Sequence, residues 1–428
     1  MRSKEFLKEF AQQSNELKDL EYLLHNTSVS DNAISKVLSI IKKDNPPAVP
    51  GPAQTNVRVP DQQKAPPPKQ PPARQIDGSP DDLELKEAVE QQEAEIIQWA
   101  KTASPEQRSA VIFYIKLDVF HNLANTVIKN KISIKAGSIR EPVNLAISSL
   151  AGKVPVETMT EFLNDCINGG VIDVPAMINP EAESIKAQPI PVSNPKYRNI
   201  VQRLLEINLS SASASGKGEF GLAFAGINTT KGEKDITVDG QDVELKASHR
   251  GKDFFFKGQT GFDHKSQAEA LTLLVNAVNS VGGNFKLSEK VTEGGVSQIN
   301  PITLNKLNPY FSKLGQQVVQ ELLVKIISKI HSHHNVLQFA LDIQNSVNPD
   351  GTVDYAKLLA AASEVSFYYY QMMEKHAGVL MLNISSMTYM YQTSPKSFAL
   401  LVNSGVITPT GAIDFRKSTM GSLTFKLN

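Results

Sequence analysis

A proline-rich segment limits how this 428-residue chain can fold. Ten prolines lie between Pro46 and Pro72, among few large apolar side chains. Proline fixes φ and removes a backbone donor, so a helix or a central strand does not pass through such a segment. The pattern predicts an extended linker over residues 46–78, and the same composition is also typical of ligands for aromatic grooves.

Composition restricts the class of protein. Hydrophobic residues make up 41% and charged residues 21%, which suits two or three globular folding units. The formal net charge is zero, so any surface that binds nucleic acid has to be local. The single cysteine, Cys166, excludes an intramolecular disulfide and is expected to be buried. We find neither a run of about 20 apolar residues nor a signal-peptide core, so we expect no membrane partner and no secretion by a standard signal.

Residues 1–45 predict two short helices. Apolar side chains recur at helical spacing from Phe6 to Leu24, and a second periodic run follows a cap at Ser30. A helix pair of this size is too small to be stable alone. We therefore expect either a docking segment for a partner or a targeting segment.

Residues 79–178 predict an all-α module. Two of its helices begin at capping-box patterns with proline at the first helical position, at Ser79 and at Ser104. A third helix is expected after Pro142, and a fourth runs from Val156 to Cys166.

Residues 179–195 are again irregular and rich in proline, which marks a second linker. Residues 196–428 follow with helical patterns that alternate with short apolar runs, including a continuous one after Gly378. The sequence thus predicts an α/β C-terminal domain with a central mixed sheet flanked by helices.

Charged residues of this domain concentrate at one predicted hairpin. Asp235 opens an alternating strand, Asp239-Gly240 is a two-residue turn signal, and Glu244 and Lys246 lie on the returning strand. Side chains alternate across a strand, so Glu244 and Lys246 share a face, and the hairpin folds Asp235 back toward it. Glu219 would join them from a preceding helix.

This set of residue types suits a metal-dependent phosphodiesterase. Such an enzyme needs a hard divalent cation that binds a phosphate oxygen and lowers the pKa of the attacking water. Mg²⁺ (or Mn²⁺) takes one or two carboxylates, for which Asp235 and Glu244 are the candidates. Lys246 would orient the water and offset charge in the transition state, while Glu219 would bind a metal-bound water, a second cation or Lys246.

The order Gly-Lys-Gly-Glu219, Asp235 and Glu244-Leu245-Lys246 resembles the PD-(D/E)XK nuclease superfamily, which has the restriction-endonuclease-like fold. In this resemblance Asp235 is the motif aspartate, Glu244 and Lys246 form the E-x-K pair, and Glu219 is the glutamate of the preceding helix. The chain departs from the motif because Lys234, rather than proline, precedes Asp235. The resemblance implies Mg-dependent hydrolysis of DNA and covers residues 196–256 in detail.

A basic zone around the hairpin is the predicted contact with DNA phosphates. Five side chains are its candidates: Lys217, Lys231, His249, Arg250 and Lys252. Contacts of this kind position a nucleic acid without reading its sequence. The alternative for the whole hairpin is an ordinary solvated surface with a cross-strand ion pair.

The opening nine residues, Met1 to Glu9, resemble the head-targeting peptides of proteins packaged into the proheads of T-even-like phages. That resemblance implies cleavage after Glu9, location in the virion (phage head or neck) or in the host cytoplasm, and contacts between the N-terminal helices and other virion proteins. Two alternatives stay open. One is a structural virion protein with a non-catalytic nuclease-like domain, and the other is a cellular restriction endonuclease.

Overall fold

The computed structural model describes residues 2–44, 80–133, 140–179, 186–207, 216–231, 235–248, 254–256, 264–285, 304–330, 336–372, 375–409 and 423–427. The predicted linker over 46–78 lies outside these residues. The described residues form two compact units, one within 1–123 and 147–160 and the other within 124–146 and 161–428.

The described residues form fifteen α-helices, and those predicted within residues 1–45 and 79–178 lie close to the expected positions. They are α1 (Arg2–Asn26), α2 (Asp31–Asp44), α3 (Pro80–Thr102), α4 (Pro105–Lys131), α5 (Arg140–Ala151), α6 (Val156–Ile167), α7 (Val174–Met177), α8 (Arg198–Leu205), α9 (Glu219–Ala225), α10 (His264–Ser280), α11 (Asn308–Leu314), α12 (Gln316–Ile330), α13 (Ala340–Gln344), α14 (Tyr355–Met372) and α15 (Pro395–Asn403). None of the helices in the described part of the chain combines the length and the hydropathy that crossing a bilayer requires.

The strands are short. They are β1 (Gln188–Pro189), β2 (Thr229–Thr230), β3 (Ile236–Val238), β4 (Gln241–Ser248), β5 (Phe254–Phe256), β6 (Val379–Asn383), β7 (Thr388–Gln392), β8 (Ile407–Pro409) and β9 (Leu423–Leu427). Six of them form one open mixed sheet in the order β1-β7-β6-β4-β3-β2, and the other three form a sheet in the order β5-β9-β8.

The two N-terminal helices belong to the first unit, whereas the sequence suggested a separate docking or targeting segment. The α1 helix buries Leu20 and Leu23, and α2 buries Val37. Polar contacts reach α4, because the backbone N–H of Ser30 donates to Asp118 at 3.0 Å and the Arg108 guanidinium bonds to Glu16 at 2.8 Å. The apolar side chains of Leu20, Leu23 and Val37 are therefore covered within this chain.

The capping box at the start of α4 is formed as predicted. The backbone N–H of Gln107 donates to Ser104 Oγ at 3.3 Å, and the backbone N–H of Ser104 donates to Gln107 Oε1 at 3.2 Å. These two bonds satisfy donors that the first turn of a helix otherwise leaves without a partner.

One parallel strand pair joins the two halves of the six-stranded sheet. Strand β4 pairs with β6 in parallel, with Glu244 opposite Val379 and Lys246 opposite Met381. The other pairings in this sheet are antiparallel. Because a parallel pair needs a crossover connection, the long chain segment between β4 and β6 follows from this topology. An α/β domain with a mixed sheet is thus confirmed.

Helices of the second unit cover this sheet with a large apolar core. It includes buried side chains from α10, α12, α14, α15 and β6, among them Leu271, Ile326, Val365, Met381 and Phe398. Cys166, in the same unit, is buried as predicted, and burial raises the pKa of its thiol to about 12. A thiol in this state is not a nucleophile at neutral pH.

Close backbone packing positions α9, the helix that begins at Glu219. A Cβ atom on Gly221 would lie 2.7 Å from the backbone of Leu204 in α8, so only glycine fits this crossing. Gly218, directly before the helix, has φ +86° and lies against Leu245 and Leu382 of the sheet. These two glycines set α9, and hence Glu219, at a fixed place beside β4.

We predict that Gly221→Ala destabilises the second unit by about 1–3 kcal/mol, because the added methyl group overpacks a backbone contact. Urea unfolding followed by circular dichroism measures the change. Gly152→Ala is the matched control, since a Cβ at that position meets nothing within 4 Å. Equal unfolding midpoints for Gly221→Ala and Gly152→Ala would contradict the close α8–α9 contact.

Candidate functional site

A two-residue turn brings Asp235 next to the strand that carries Glu244 and Lys246. Asp239 and Gly240 both have positive φ, as a type I′ hairpin turn requires, and Ile236 pairs with Val243. Asp235 directly precedes this pairing, and its Oδ2 accepts a hydrogen bond from the backbone N–H of Leu245 at 2.9 Å. The predicted turn and the return of Asp235 are both formed.

Glu244 and Lys246 share one face of β4. The Lys246 ammonium donates to Glu244 Oε1, and the Glu244 side chain is buried, with 6% of the residue exposed. The imidazole of His376, which lies just before β6, places Nδ1 at 3.6 Å from Glu244 Oε2. Glu244 therefore lies between an ammonium group and an imidazole.

Glu219 forms a second buried ion pair. Its Oε2 lies 2.7 Å from the Nζ atom of Lys231, and its Oε1 accepts from the backbone N–H of Gly216 at 2.5 Å. Glu219 is 4% exposed and Lys231 is 3% exposed. Both carboxylate oxygens of Glu219 thus bond to donors of the chain itself.

The end of α4 fixes the backbone of Lys231. The Lys231 N–H donates to the carbonyl of Lys131 at 3.0 Å, and the N–H of Ser133 donates back to the Lys231 carbonyl at 2.9 Å. The Lys131 ammonium bonds to the carbonyl of Gly226 at 2.9 Å, at the end of α9. These contacts leave Lys231 little freedom to move away from Glu219.

The charges of the site influence one another. Burial raises the pKa of Glu219, the charge of Asp235 raises it further, and Lys231 opposes both effects. Geometry places Glu219 beside the strand of Glu244, because Gly218, directly before Glu219 at the start of α9, lies against Leu245 of β4.

The structure differs from the sequence interpretation in how much of this site is exposed to solvent. Strand alternation suggested a buried apolar face and an open polar cleft. Val243 and Leu245 are buried as expected, but Glu244 on the opposite face is buried as well. The reason is His376, just before β6, whose imidazole lies 3.6 Å from the Glu244 carboxylate on that face.

The predicted DNA-contacting side chains have different surroundings. Lys217 is half-buried beside Gly218. Lys231, which the sequence placed in an exposed basic zone, is buried and bonded to Glu219. His249, Arg250 and Lys252 lie outside the described residues.

Sequence reasoning missed His376 and misread Lys231, for the same physical reason. Their neighbours come from distant parts of the chain: His376 meets Glu244 through the parallel β4–β6 pair, and Lys231 is bridged to Ile132 at the end of α4. Periodicity and turn signals report local structure only. The sequence signal for His376 was its position two residues before Gly378, which directly precedes the buried apolar run of β6.

The donor chemistry of the site fits a hard divalent cation. Asp235 and Glu244 supply carboxylate oxygens from adjacent strands, which is the ligand type that Mg²⁺ and Mn²⁺ prefer. Within the described residues, no group of three or more histidine, cysteine, aspartate or glutamate side chains has the arrangement of a metal centre. The candidate ligands are thus the carboxylates of Asp235 and Glu244, while the carboxylate of Glu219 is paired with Lys231.

Comparison with known proteins adds no family to this description. No protein-family model, no curated protein and no solved structure matches the chain. The functional argument therefore rests on the residues and the topology described above.

We predict that Lys231→Met lowers the free energy of unfolding of the second unit by about 3–5 kcal/mol, because it leaves Glu219 buried without its ammonium partner. The double variant Glu219→Gln/Lys231→Met removes both charges and is expected to cost clearly less than the two single changes added together. Urea unfolding of the wild type, Glu219→Gln, Lys231→Met and the double variant measures this coupling. Strictly additive effects would show that the two side chains do not interact.

Proposed function

We propose that this protein hydrolyses phosphodiester bonds of DNA with Mg²⁺ or Mn²⁺, as an endonuclease of the PD-(D/E)XK type. The observation that carries the proposal is the bond from Leu245 N–H to Asp235 Oδ2 at 2.9 Å. It sets the motif aspartate against the strand on which Glu244 and Lys246 share a face. Aspartate, glutamate and lysine in this relation are the residue types that the chemistry needs.

The strand order also supports a restriction-endonuclease-like domain. Helix α9 is followed by the antiparallel strands β2, β3 and β4, and the next strand of the sheet, β6, runs parallel to β4. A central mixed sheet flanked by helices is the arrangement that the resemblance to this fold implies. Of the residues that we propose for the active site, Asp235 directly precedes β3, Glu244 and Lys246 lie on β4, and Glu219 begins α9.

Each site residue has a role that its surroundings suit. Asp235 and Glu244 hold the cation, which when bound supplies a water of lowered pKa and charge stabilisation at the phosphate. Lys246, next to Glu244, donates a hydrogen bond to the attacking water and offsets negative charge at phosphorus. Glu219, whose pKa is raised by burial, is the third metal-ligand candidate from the sequence, and its carboxylate is paired with Lys231.

DNA is the proposed substrate because the residues follow a nuclease motif. Contacts to its backbone come from the basic zone, of which Lys217 is a described member. Backbone contacts of this type position DNA and do not select a sequence. We also propose that the protein acts in a phage virion or in the host cytoplasm, on the basis of the resemblance in residues 1–9.

A second candidate function is a structural role in a virion without turnover. One observation favours it: the carboxylates of Glu219 and Glu244 already have lysine partners within the chain, Lys231 and Lys246. A site with its charges balanced in this way is stable without a metal ion. On this account the domain serves as a scaffold. A cellular restriction endonuclease remains the third possibility from the sequence.

We predict that the purified protein nicks or cuts plasmid DNA with Mg²⁺ or Mn²⁺ and not with EDTA. Asp235→Asn and Lys246→Ala should each lower the cleavage rate by at least about 100-fold, since each removes a group that acts on the reacting phosphate. Gel assays of supercoiled plasmid over time measure the rates.

Asp239→Asn is the matched control for these variants. It makes the same carboxylate-to-amide change in the same hairpin, at an exposed turn position with φ 48° that asparagine also accepts. Its cleavage rate should equal that of the wild type. Cleavage that persists in Asp235→Asn, or no cleavage with any metal tested, would remove the catalytic proposal in favour of the scaffold.

A further inference from the structure

His376 has no role in the sequence motif, although it lies at the candidate site. It is 5% exposed and both of its ring nitrogens are buried, so it does not reach a DNA molecule bound outside the protein. Its Nδ1 atom lies 3.6 Å from Glu244 Oε2. An effect of His376 on a phosphate at this site would therefore act through the carboxylate of Glu244.

Backbone hydrogen bonds fix the segment of His376 beside β4. The N–H of Ala377 donates to the carbonyl of Asp242 at 2.8 Å, and the N–H of Glu244 donates to the carbonyl of Gly378 at 3.1 Å. The two residues that follow His376 are thus bonded to Glu244 itself and to the residue two positions before it. The closeness of the imidazole to Glu244 is set by the main chain.

Glu244 has a different neighbour at each carboxylate oxygen. The Lys246 ammonium donates to Oε1, and the His376 imidazole lies at Oε2. Neighbours at both oxygens set the plane of the carboxylate, because rotation of the group would move it away from both. An ionised carboxylate has about four acceptor sites, so these two contacts leave sites for a cation on the same group.

Orientation of this kind matters for a metal ligand. Polar partners beyond the ligands orient the carboxylates and histidines that bind a metal, and the loss of such a partner typically costs about 10- to 100-fold in metal affinity or activity. Lys246 already acts at the phosphate in the proposed reaction. His376, which is buried away from the substrate, is the neighbour of Glu244 that suits orientation alone.

We propose that His376 is a positioning residue, which holds the Glu244 carboxylate in the orientation that binds the divalent cation together with Asp235. This inference rests on the proposed function, because the cation belongs to the nuclease site. It assigns a role to a residue outside the motif. It also states which steps depend on His376: cation binding and hydrolysis, but not the binding of DNA.

The test compares two substitutions in the full chain. His376→Leu fills a similar space without a polar atom, whereas His376→Asn has an amide nitrogen that takes the place of Nδ1. Isothermal titration calorimetry without DNA measures Mn²⁺ binding. His376→Leu should bind Mn²⁺ about 10- to 100-fold more weakly than the wild type, and His376→Asn should bind it almost as tightly as the wild type. Wild-type affinity in a folded His376→Leu protein, or equal weakening in both variants, overturns the inference.

Plasmid cleavage gives a second readout. In variants whose circular dichroism matches the wild type, His376→Leu should lower kcat at saturating DNA and leave KM for DNA unchanged, because the imidazole does not touch the substrate. His121→Leu is the matched control, since it makes the same change in the first unit, and its Mn²⁺ affinity and kcat should equal those of the wild type. A higher KM for DNA with unchanged kcat in His376→Leu overturns the inference.

The contact itself can be tested without a metal ion. Urea unfolding of the wild type, Glu244→Gln, His376→Leu and the double variant should give non-additive free energies, because the two side chains interact. Strict additivity overturns the inference. If His376→Leu does not fold, His376→Met replaces it in every assay with the same expected results, since the flexible methionine side chain fits irregular spaces more easily.

Asp235→Asn separates this inference from the proposed function. Mn²⁺ binding that is absent from the wild type, or unchanged in Asp235→Asn, contradicts the proposed nuclease site, and the role of His376 falls with it. Loss of binding in Asp235→Asn, together with wild-type binding in folded His376→Leu, contradicts only the role of His376.

Discussion

The antiparallel register between β3 and β4 is the constraint on which the candidate site depends. A two-residue turn at Asp239-Gly240 fixes the pairing of Ile236 with Val243, and this pairing sets Asp235 against the backbone of Leu245. A slip of one residue would turn Glu244 and Lys246 to the opposite face. The apolar side chains Val243 and Leu245 make such a slip costly, because they are buried on the other face of the strand.

Burial of charge is the second constraint. His376 lies against Glu244, while Glu219 at the start of α9 pairs with Lys231, whose backbone bonds to Lys131 and Ser133 at the end of α4. Charged groups persist in such surroundings only when they are paired and hydrogen-bonded. The Glu219–Lys231 and Glu244–Lys246 pairs are therefore part of the fold whether or not the site is catalytic. They are compatible with both candidate functions.

Local signals in the sequence predicted many of the helices and the hairpin that carries the candidate site. Capping at Ser104, the turn at Asp239-Gly240 and alternation around Glu244 are short-range features, and each is formed. The sequence did not reveal the burial of Lys231 or the approach of His376 to Glu244, because both depend on pairings between distant segments. The packing of α1 and α2 with α3 in one compact unit likewise depends on contacts between distant segments.

The most direct measurement is a crystal structure of the protein grown with Mn²⁺, with anomalous diffraction recorded at the manganese edge. Our account predicts an anomalous peak about 2.1 Å from carboxylate oxygens of Asp235 and Glu244. A map without a peak at these two carboxylates, at saturating Mn²⁺, would contradict the account.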